Sequence, residues 1–353
     1  MSEWLDRVTA LEWALDRGAL GESVTRAALT GAVVWRAPAR IDGIDAIRDV
    51  TPSRVEADAL GGAVLAALPA GPLPSAVAFL GRDREENLSL LGVLLTRLEP
   101  GAPLVTTGCN SLGSGWYDKT LAEAGLDVEV ASKHKCRVAV TRRPEVLPEA
   151  VEGWAALSEP MEVAPRLWTC PGVFSKGHID PASALLASSL PRLEGHVGDW
   201  GAGWGYLAAS LADRGDAVTR FELVEADQRA LTLALRALEV RGAVAAGHWL
   251  DARQPTGLRS LDVIVTNPPF HDGDRHAVSV AHAFFGSAAA ALRGAGRIYA
   301  VGPRNLPYDE PLRATFERTR VLADGDGFRV YEGSHPRRRA APLSEARPPR
   351  RAA

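Results

Sequence analysis

The chain has 353 residues, 46% of them hydrophobic and 24% charged, with a formal net charge of −3. That length accommodates two domains, and the composition is that of a globular chain rather than a fibrous or disordered one. A near-neutral balance excludes a globally basic nucleic-acid binder, so any RNA or DNA partner has to be held by local patches.

The first helix is predicted over Glu3 to Asp16, where Trp4, Leu5, Val8, Leu11, Trp13 and Leu15 give an amphipathic pattern and Gly18 and Gly21 follow as stop signals. Ala32–Trp35 and Ala76–Leu80 read as strands, and Asn87–Leu98 as a helix with a leucine stripe. Leu104–Thr107, Ser111–Ala124, Val128–Ala131 and Cys136–Val140 continue as strand, helix, strand, strand. Residues 1–145 therefore read as an α/β domain whose first half, before Leu73, is short and irregular. It has no glycine-rich nucleotide loop. Residues 146–165, rich in prolines and acids, read as a linker.

A second α/β domain is expected over residues 166–335. Asp180-Pro181 looks like an N-cap with proline at the first helical position, opening a helix to about Leu190. A strand ending near Val197 leads into Asp199-Trp200-Gly201-Ala202-Gly203-Trp204-Gly205, a turn into the next helix. Glycines there let backbone N–H groups approach a ligand closely. A nicotinamide fingerprint would place its third glycine at position 206, which is Tyr206. The strand Arg220–Val224 is closed by Glu225, 225 − 205 = 20 residues past the last glycine. That is where a ribose-binding acid belongs in a nucleotide-binding α/β fold. Asp251 closes the next strand-like stretch. Leu261–Val265, a buried parallel strand by its apolar run, is closed by Thr266-Asn267-Pro268-Pro269-Phe270-His271-Asp272-Gly273. A helix from about His276 to Leu292 and the strand Arg297–Val301 follow. Arg320–Ala323 and Phe328–Tyr331 close the sheet, plausibly as a hairpin across Gly325-Asp326-Gly327. Residues 336–353, rich in Arg, Pro and Ala, are expected to be a disordered tail.

With these motifs in hand, the chain resembles ribosomal RNA guanine-N2 methyltransferases of the small-subunit methyltransferase C type. The residues that carry the resemblance are Pro171-Gly172-Val173-Phe174-Ser175, Asp180, the Asp199–Gly205 loop, Thr266–Gly273 and Phe328-Arg329-Val330-Tyr331. The resemblance implies two tandem Rossmann-like methyltransferase domains. The N-terminal one is degenerate, and the C-terminal one is a seven-stranded class I domain that uses S-adenosyl-L-methionine (SAM). It also implies direct attack of guanine N2 on the methyl group, with Asn267 and the Pro268 carbonyl accepting the amine protons and Phe270 stacking on the base. Phe270 reads otherwise as a core aromatic, and His271 as a loop-bracing residue. Asp199, Gly201, Gly203, Gly205, Glu225, Asp251, Asn267 and Phe174 are the implied cofactor contacts.

Three other expectations complete the reading. The partner is ribosomal RNA or a ribosomal subunit, held through Lys133-His134-Lys135, Arg137, Arg142 and Arg143 or through the arginines of the tail; a solvated strand edge is the plainer account of the first cluster. Large-subunit RNA, a protein glutamine or adenine as acceptor, and a non-catalytic assembly binder are the rival functions. Cys109, Cys136 and Cys170 are odd in number and lack metal-type spacing, so reduced thiols, no metal, no membrane partner and a cytoplasmic monomer are expected.

Overall fold

The computed structural model describes residues 2–20, 24–39, 41, 44, 48–61, 63–113, 115–269 and 274–337, with the backbone alone at 2–5 and 274–277. The expected C-terminal tail, apart from Pro336 and Arg337, and Phe270–Gly273 lie outside these residues.

The N-terminal half contains α1 (Ser2–Asp16), β1 (Val33–Trp35), β2 (Arg48–Val50), α2 (Arg54–Leu60), β3 (Ala76–Phe79), α3 (Arg84–Arg97), β4 (Pro103–Cys109), α4 (Tyr117–Glu123), β5 (Glu129–Lys133) and β6 (Cys136–Arg142). Strands β1 and β3 are short apolar runs because both their faces are covered. Val34, Val77 and Phe79 pack with α1 on one face, whereas Val33, Trp35, Ala76 and Ala78 pack with the leucines of α3 on the other. The segment before Leu73 thus carries two strands and two helices, more structure than its sequence suggested. The single helix expected over 111–124 is a 3₁₀ turn and α4, parted at Gly113, whose φ of +76° reverses the chain.

The expected linker is largely structured. It holds α5 (Glu149–Ala156) and, with the residues beyond it, the hairpin β7 (Met161–Ala164) and β8 (Leu167–Thr169). Helix α5 packs backbone-close on α3: a Cβ added at Gly92 would lie 2.2 Å from the Ala155 nitrogen. The expectation of three reduced thiols also needs correction. Cys109 and Cys136 face each other across the β4–β6 pair and are joined as a disulfide, and Cys170 alone is a free, buried thiol.

The C-terminal half runs α6 (Pro181–Ser189), β9 (Glu194–Trp200), α7 (Tyr206–Asp213), β10 (Ala217–Glu225), α8 (Gln228–Glu239), β11 (Ala245–Trp249), β12 (Leu261–Thr266), α9 (Asp274–Ala291), β13 (Leu292–Pro303), α10 (Asp309–Thr315), β14 (Phe316–Gly325) and β15 (Phe328–Pro336). The seven strands lie in the order β11-β10-β9-β12-β13-β15-β14, parallel except for β15. Val197, Leu223, Val263 and Val265 pack under α6, α7 and α8, while Trp200, Val224 and Ile264 pack under α9.

The N-terminal sheet, β2-β1-β3-β4-β6-β5, repeats this order and its strand directions; among the described residues it lacks a counterpart of β11. The repeat extends to the first loop. Gly201, after β9, has φ +73°, and Arg36, after β1, has φ +54°. In both sheets the order reverses beside the first strand, and the crevice at the carboxyl ends there is where such folds bind ligands.

Candidate active site

The three loop glycines have three different physical reasons. Gly201, at φ +73°, packs against the Phe284 ring, 3.1 Å from where a Cβ would be. Gly205, at φ +90°, caps α7 and lets it meet α8, since a Cβ there would lie 2.7 Å from Ala234 Cα. Gly203, at φ +53°, has no atom within 4 Å of a would-be Cβ. Only this glycine leaves open space beside its backbone, as close approach to a ligand requires. The loop is held down by Gly201 and Ala202 N–H groups donating to Val224 O at 2.8 and 3.1 Å.

Two acids stand behind the loop. Asp199 is fully buried. Its Oδ2 accepts from Ala208 N at 3.3 Å, and its Oδ1 has no partner among the described residues. Burial pushes its carboxyl up to about 7, against the Ala208 bond and with help from the Glu225 charge. Glu225 closes β10 as expected. Its Oε2 accepts from Gly203 N at 2.7 Å and its Oε1 from Asp227 N at 2.8 Å, so acid and glycine loop are tied directly together. Burial raises its pKa, opposed by those backbone N–H groups. Asp251 closes β11, but both its oxygens face Arg253, at 2.8 to 3.0 Å, so its charge is already matched.

Asn267 sits at the carboxyl end of β12. Beside it the Thr266 hydroxyl donates to Trp200 O at 2.7 Å, clasping the two motif-bearing strands at their ends. Asn267 Nδ2 donates to Asp180 Oδ2 at 2.8 Å and to Ser183 Oγ at 2.9 Å. An ionised carboxylate only accepts, so the nitrogen has to face Asp180 and the oxygen has to face away. Among the described residues that oxygen, Oδ1, is buried without a partner. Asp180 also caps α6, accepting from Ser183 N at 2.8 Å. One oxygen of Asp180 thus both caps α6 and holds Asn267.

These residues meet at a small, partly open cavity lined by Asn267, Asp180, Ser183, Gly201, Gly203 and Phe174, together with neighbours on the loop and α7. Phe174 is 46% exposed at this cavity, and its carbonyl accepts from Trp204 Nε1 at 3.0 Å. Glu225, Asp199 and Asp251 lie behind the lining rather than on it. Phe270 and His271 fall outside the described residues. The sequence reading missed Ser183 and Trp204. Ser183 was findable as the residue whose N–H a cap at Asp180 must meet; Trp204 carried no signal.

The basic cluster of the N-terminal half is the β5–β6 hairpin, and the structure divides it. Arg137 is paired with Asp118 at 2.5 Å, Arg142 donates to Gly101 O at 2.9 Å, and Lys133 lies over the Trp13 ring. Lys133, His134 and Lys135 remain exposed at its turn. Among the described residues no helix is long and apolar enough to cross a membrane, and no cluster of three or more His, Cys, Asp or Glu is arranged to hold a metal ion.

A seven-stranded sheet of this order, with a glycine loop after its central strand, an acid closing the next and Asn-Pro-Pro closing the neighbour on the other side, defines a class I methyltransferase. Known proteins agree. The family described as methyltransferase small domain matches residues 164–332. A ribosomal RNA small subunit methyltransferase C of Pseudomonas aeruginosa (strain LESB58) is 34% identical over 272 residues, 74% of this chain and 80% of that protein. Its namesake in Hahella chejuensis (strain KCTC 2396) is 32% identical over 274 residues, 75% of this chain and 79% of that protein. Among solved structures, the T. thermophilus 16S rRNA N2 methyltransferase (RsmC), in complex with AdoMet and guanosine, superposes with a TM-score of 0.69 at 26% identity, covering 86% of this chain and 87% of that one. The chain belongs to the ribosomal RNA small subunit methyltransferase C family.

Proposed function

We propose that this protein transfers a methyl group from S-adenosyl-L-methionine to the exocyclic N2 of a guanine in small-subunit ribosomal RNA. The observation that carries the reading is the acceptor at Asn267: among the described residues Oδ1 is buried without a partner, while Nδ2 is held by two. Leaving a buried acceptor unmade costs about 1–3 kcal/mol. Such a group is retained for a donor that arrives with the substrate, and an exocyclic amine brings two N–H bonds.

The residues fitted to the cofactor are Gly201, Gly203 and Gly205, with Glu225 behind them for the ribose hydroxyls, Asp199 bracing the loop and Phe174 at the cavity. Open space at Gly203 supports that fit. Asp251, occupied by Arg253, is left out. The bound cofactor supplies a methyl group already activated by a sulfonium charge. The task of the protein is the nucleophile, whose lone pair is delocalised into the guanine ring. Asn267 Oδ1 and the Pro268 carbonyl accept its two N–H bonds, which localises and aims the lone pair. Pro268 and Pro269 fix that carbonyl, so no reorganisation is needed as charge develops. Once alkylated, the amine is acidic and its proton passes to solvent. The base has to leave its stack to enter the cavity. Phe174 is suited to stack on it, alongside the role expected for Phe270.

The N-terminal half docks the RNA in this reading, through Lys133, His134 and Lys135. The central test is Asn267→Ala assayed on small ribosomal subunits with labelled methyl donor. Turnover should fall by about 10²-fold or more, the scale of one preorganised polar group, with SAM affinity nearly intact. An active variant sinks the mechanism.

A further inference from the structure

Outside the cavity, one guanidinium joins three separate parts of the chain. Arg229, in the first turn of α8, binds Asp227 through Nε at 3.1 Å and Nη2 at 2.7 Å. It donates to the Pro171 and Gly172 carbonyls at 3.3 and 3.5 Å. Its third partner is Glu86 of the N-terminal half, at 2.9 Å, and Glu86 in turn pairs with Arg36 at 3.2 Å. The Glu86 side chain is only 12% exposed and that of Arg229 24%. Packing around the pair is tight: a Cβ added at Gly172 would lie 2.4 Å from the Glu86 carboxylate. Lys176, farther along the same loop, pairs with Glu85. Both acids lie in the first turn of α3, where the helix dipole favours negative charge.

A second contact holds the loop between β10 and α8. Pro52 O accepts from Gln228 N at 2.8 Å and from Trp249 Nε1 at 2.9 Å, and Arg54 N donates to Ala226 O at 2.7 Å. The Arg54 guanidinium lies 5.3 Å from the centre of the Trp249 ring. The N-terminal half therefore holds two loops at once. Loop 171–176 carries Phe174 and Ser175 into the cavity. Loop 225–228 carries Glu225, whose Oε1 is fixed by Asp227 N.

We propose that Glu86 and Arg229 are positioning residues for the cofactor, through which the N-terminal half sets the spacing of these two loops. The inference rests on the SAM reading above. Neither residue lines the cavity, so any effect on affinity has to travel through the loops they hold. A planar fork engaging a carboxylate, a second carboxylate and two carbonyls is geometry that lysine cannot copy. Removing one charge of a mostly buried pair leaves the other uncompensated.

The test uses the full-length protein without RNA: SAM affinity by titration calorimetry and the thermal midpoint of the cofactor-free protein, for Glu86→Gln, Arg229→Lys and the double variant. Each single change should weaken SAM binding on the order of tenfold, within the range of intramolecular couplings. The double variant should be no weaker than the worse single, because both break one link. A lowered thermal midpoint with unchanged SAM affinity would overturn the inference, as would losses that simply add. Should the charge variants fail to fold, Trp249→Phe keeps an aromatic ring and removes the N–H that Pro52 O and Ala226 O share. It should weaken SAM about threefold, the scale of one neutral hydrogen bond, and no change overturns the inference equally. A wild-type protein that does not bind SAM refutes the functional reading itself, and the inference with it.

Discussion

Replacing Asp180 separates two jobs done by one carboxylate oxygen, the cap of α6 and the grip on Asn267, each at 2.8 Å. Asp180→Ala removes both. Loss of the cap should cost about 1 kcal/mol of stability. Loss of a hydrogen bond to a charged acceptor is worth about 1.5–3 kcal/mol, and here it falls on the orientation of the Asn267 carboxamide. The remaining partner, Ser183 Oγ, both donates and accepts, so it tolerates either orientation. A carboxamide free to turn offers its NH₂ group to the target amine, where donor meets donor. Expressed in turnover, that energy corresponds to about 10- to 150-fold. Asp180→Asn keeps the cap, because Asn caps as well as Asp, and keeps a neutral oxygen for Asn267. Its stability should stay within about 0.5 kcal/mol, and its turnover should fall only about 3- to 10-fold, since neutral bonds are roughly half as strong. Single-turnover methylation of small ribosomal subunits at saturating SAM, with urea denaturation of the same samples, reads both quantities. If Asp180→Ala loses its kilocalorie of stability and turns over at the wild-type rate, Asp180 is a cap alone and the orientation argument fails.

Three further outcomes are expected. Glu225→Ala should weaken SAM binding by roughly 1–3 kcal/mol, the value of a charged acceptor; calorimetry that finds wild-type affinity would place the ribose elsewhere. Asp199 has a folded pKa of about 7, above its ordinary 3.8, so its contribution to stability is fully present below that ordinary value and is lost as pH rises through about 7. The cofactor-free protein should therefore lose stability over that window relative to Asp199→Asn, by at most about 1.4 kcal/mol per pH unit; parallel pH profiles of the two in urea would refute it. Neutralising Lys133 and Lys135 together should lower RNA affinity and flatten its salt dependence by about 0.7–0.9 per lost contact, and filter binding across a salt series with an unchanged slope would mark the hairpin as a solvated edge.

The legible parts of this molecule are those specified locally. The run at Leu261–Val265 is apolar at every position but one, and the strand it forms is covered on both faces. Asp180-Pro181 opened a helix where cap chemistry placed one, and the hairpin turned at Gly325–Gly327. What sequence could not show depends on distant partners. Asn267 meets Asp180 across 87 positions, and Cys109 meets Cys136 across 27. The docking of α5 hangs on Gly92 meeting a backbone atom of Ala155, which no periodicity reveals. The match of Asp251 to Arg253 is different. The two are separated by one residue, and the pairing was readable from spacing alone.

Arg36 stands where the other sheet has Gly201, in the same left-handed backbone, with its guanidinium clamped between Glu56 and Glu86 at 2.6 and 3.2 Å. That position in the N-terminal sheet thus holds a charge paired on two sides, where the other sheet keeps a glycine. A glycine at this position would strand Glu56 without its counter-ion and leave Glu86 to Arg229 alone. Through Glu86 and Arg229, Arg36 joins the first loop of the N-terminal sheet to the loop at Pro171 and Gly172 in the other half.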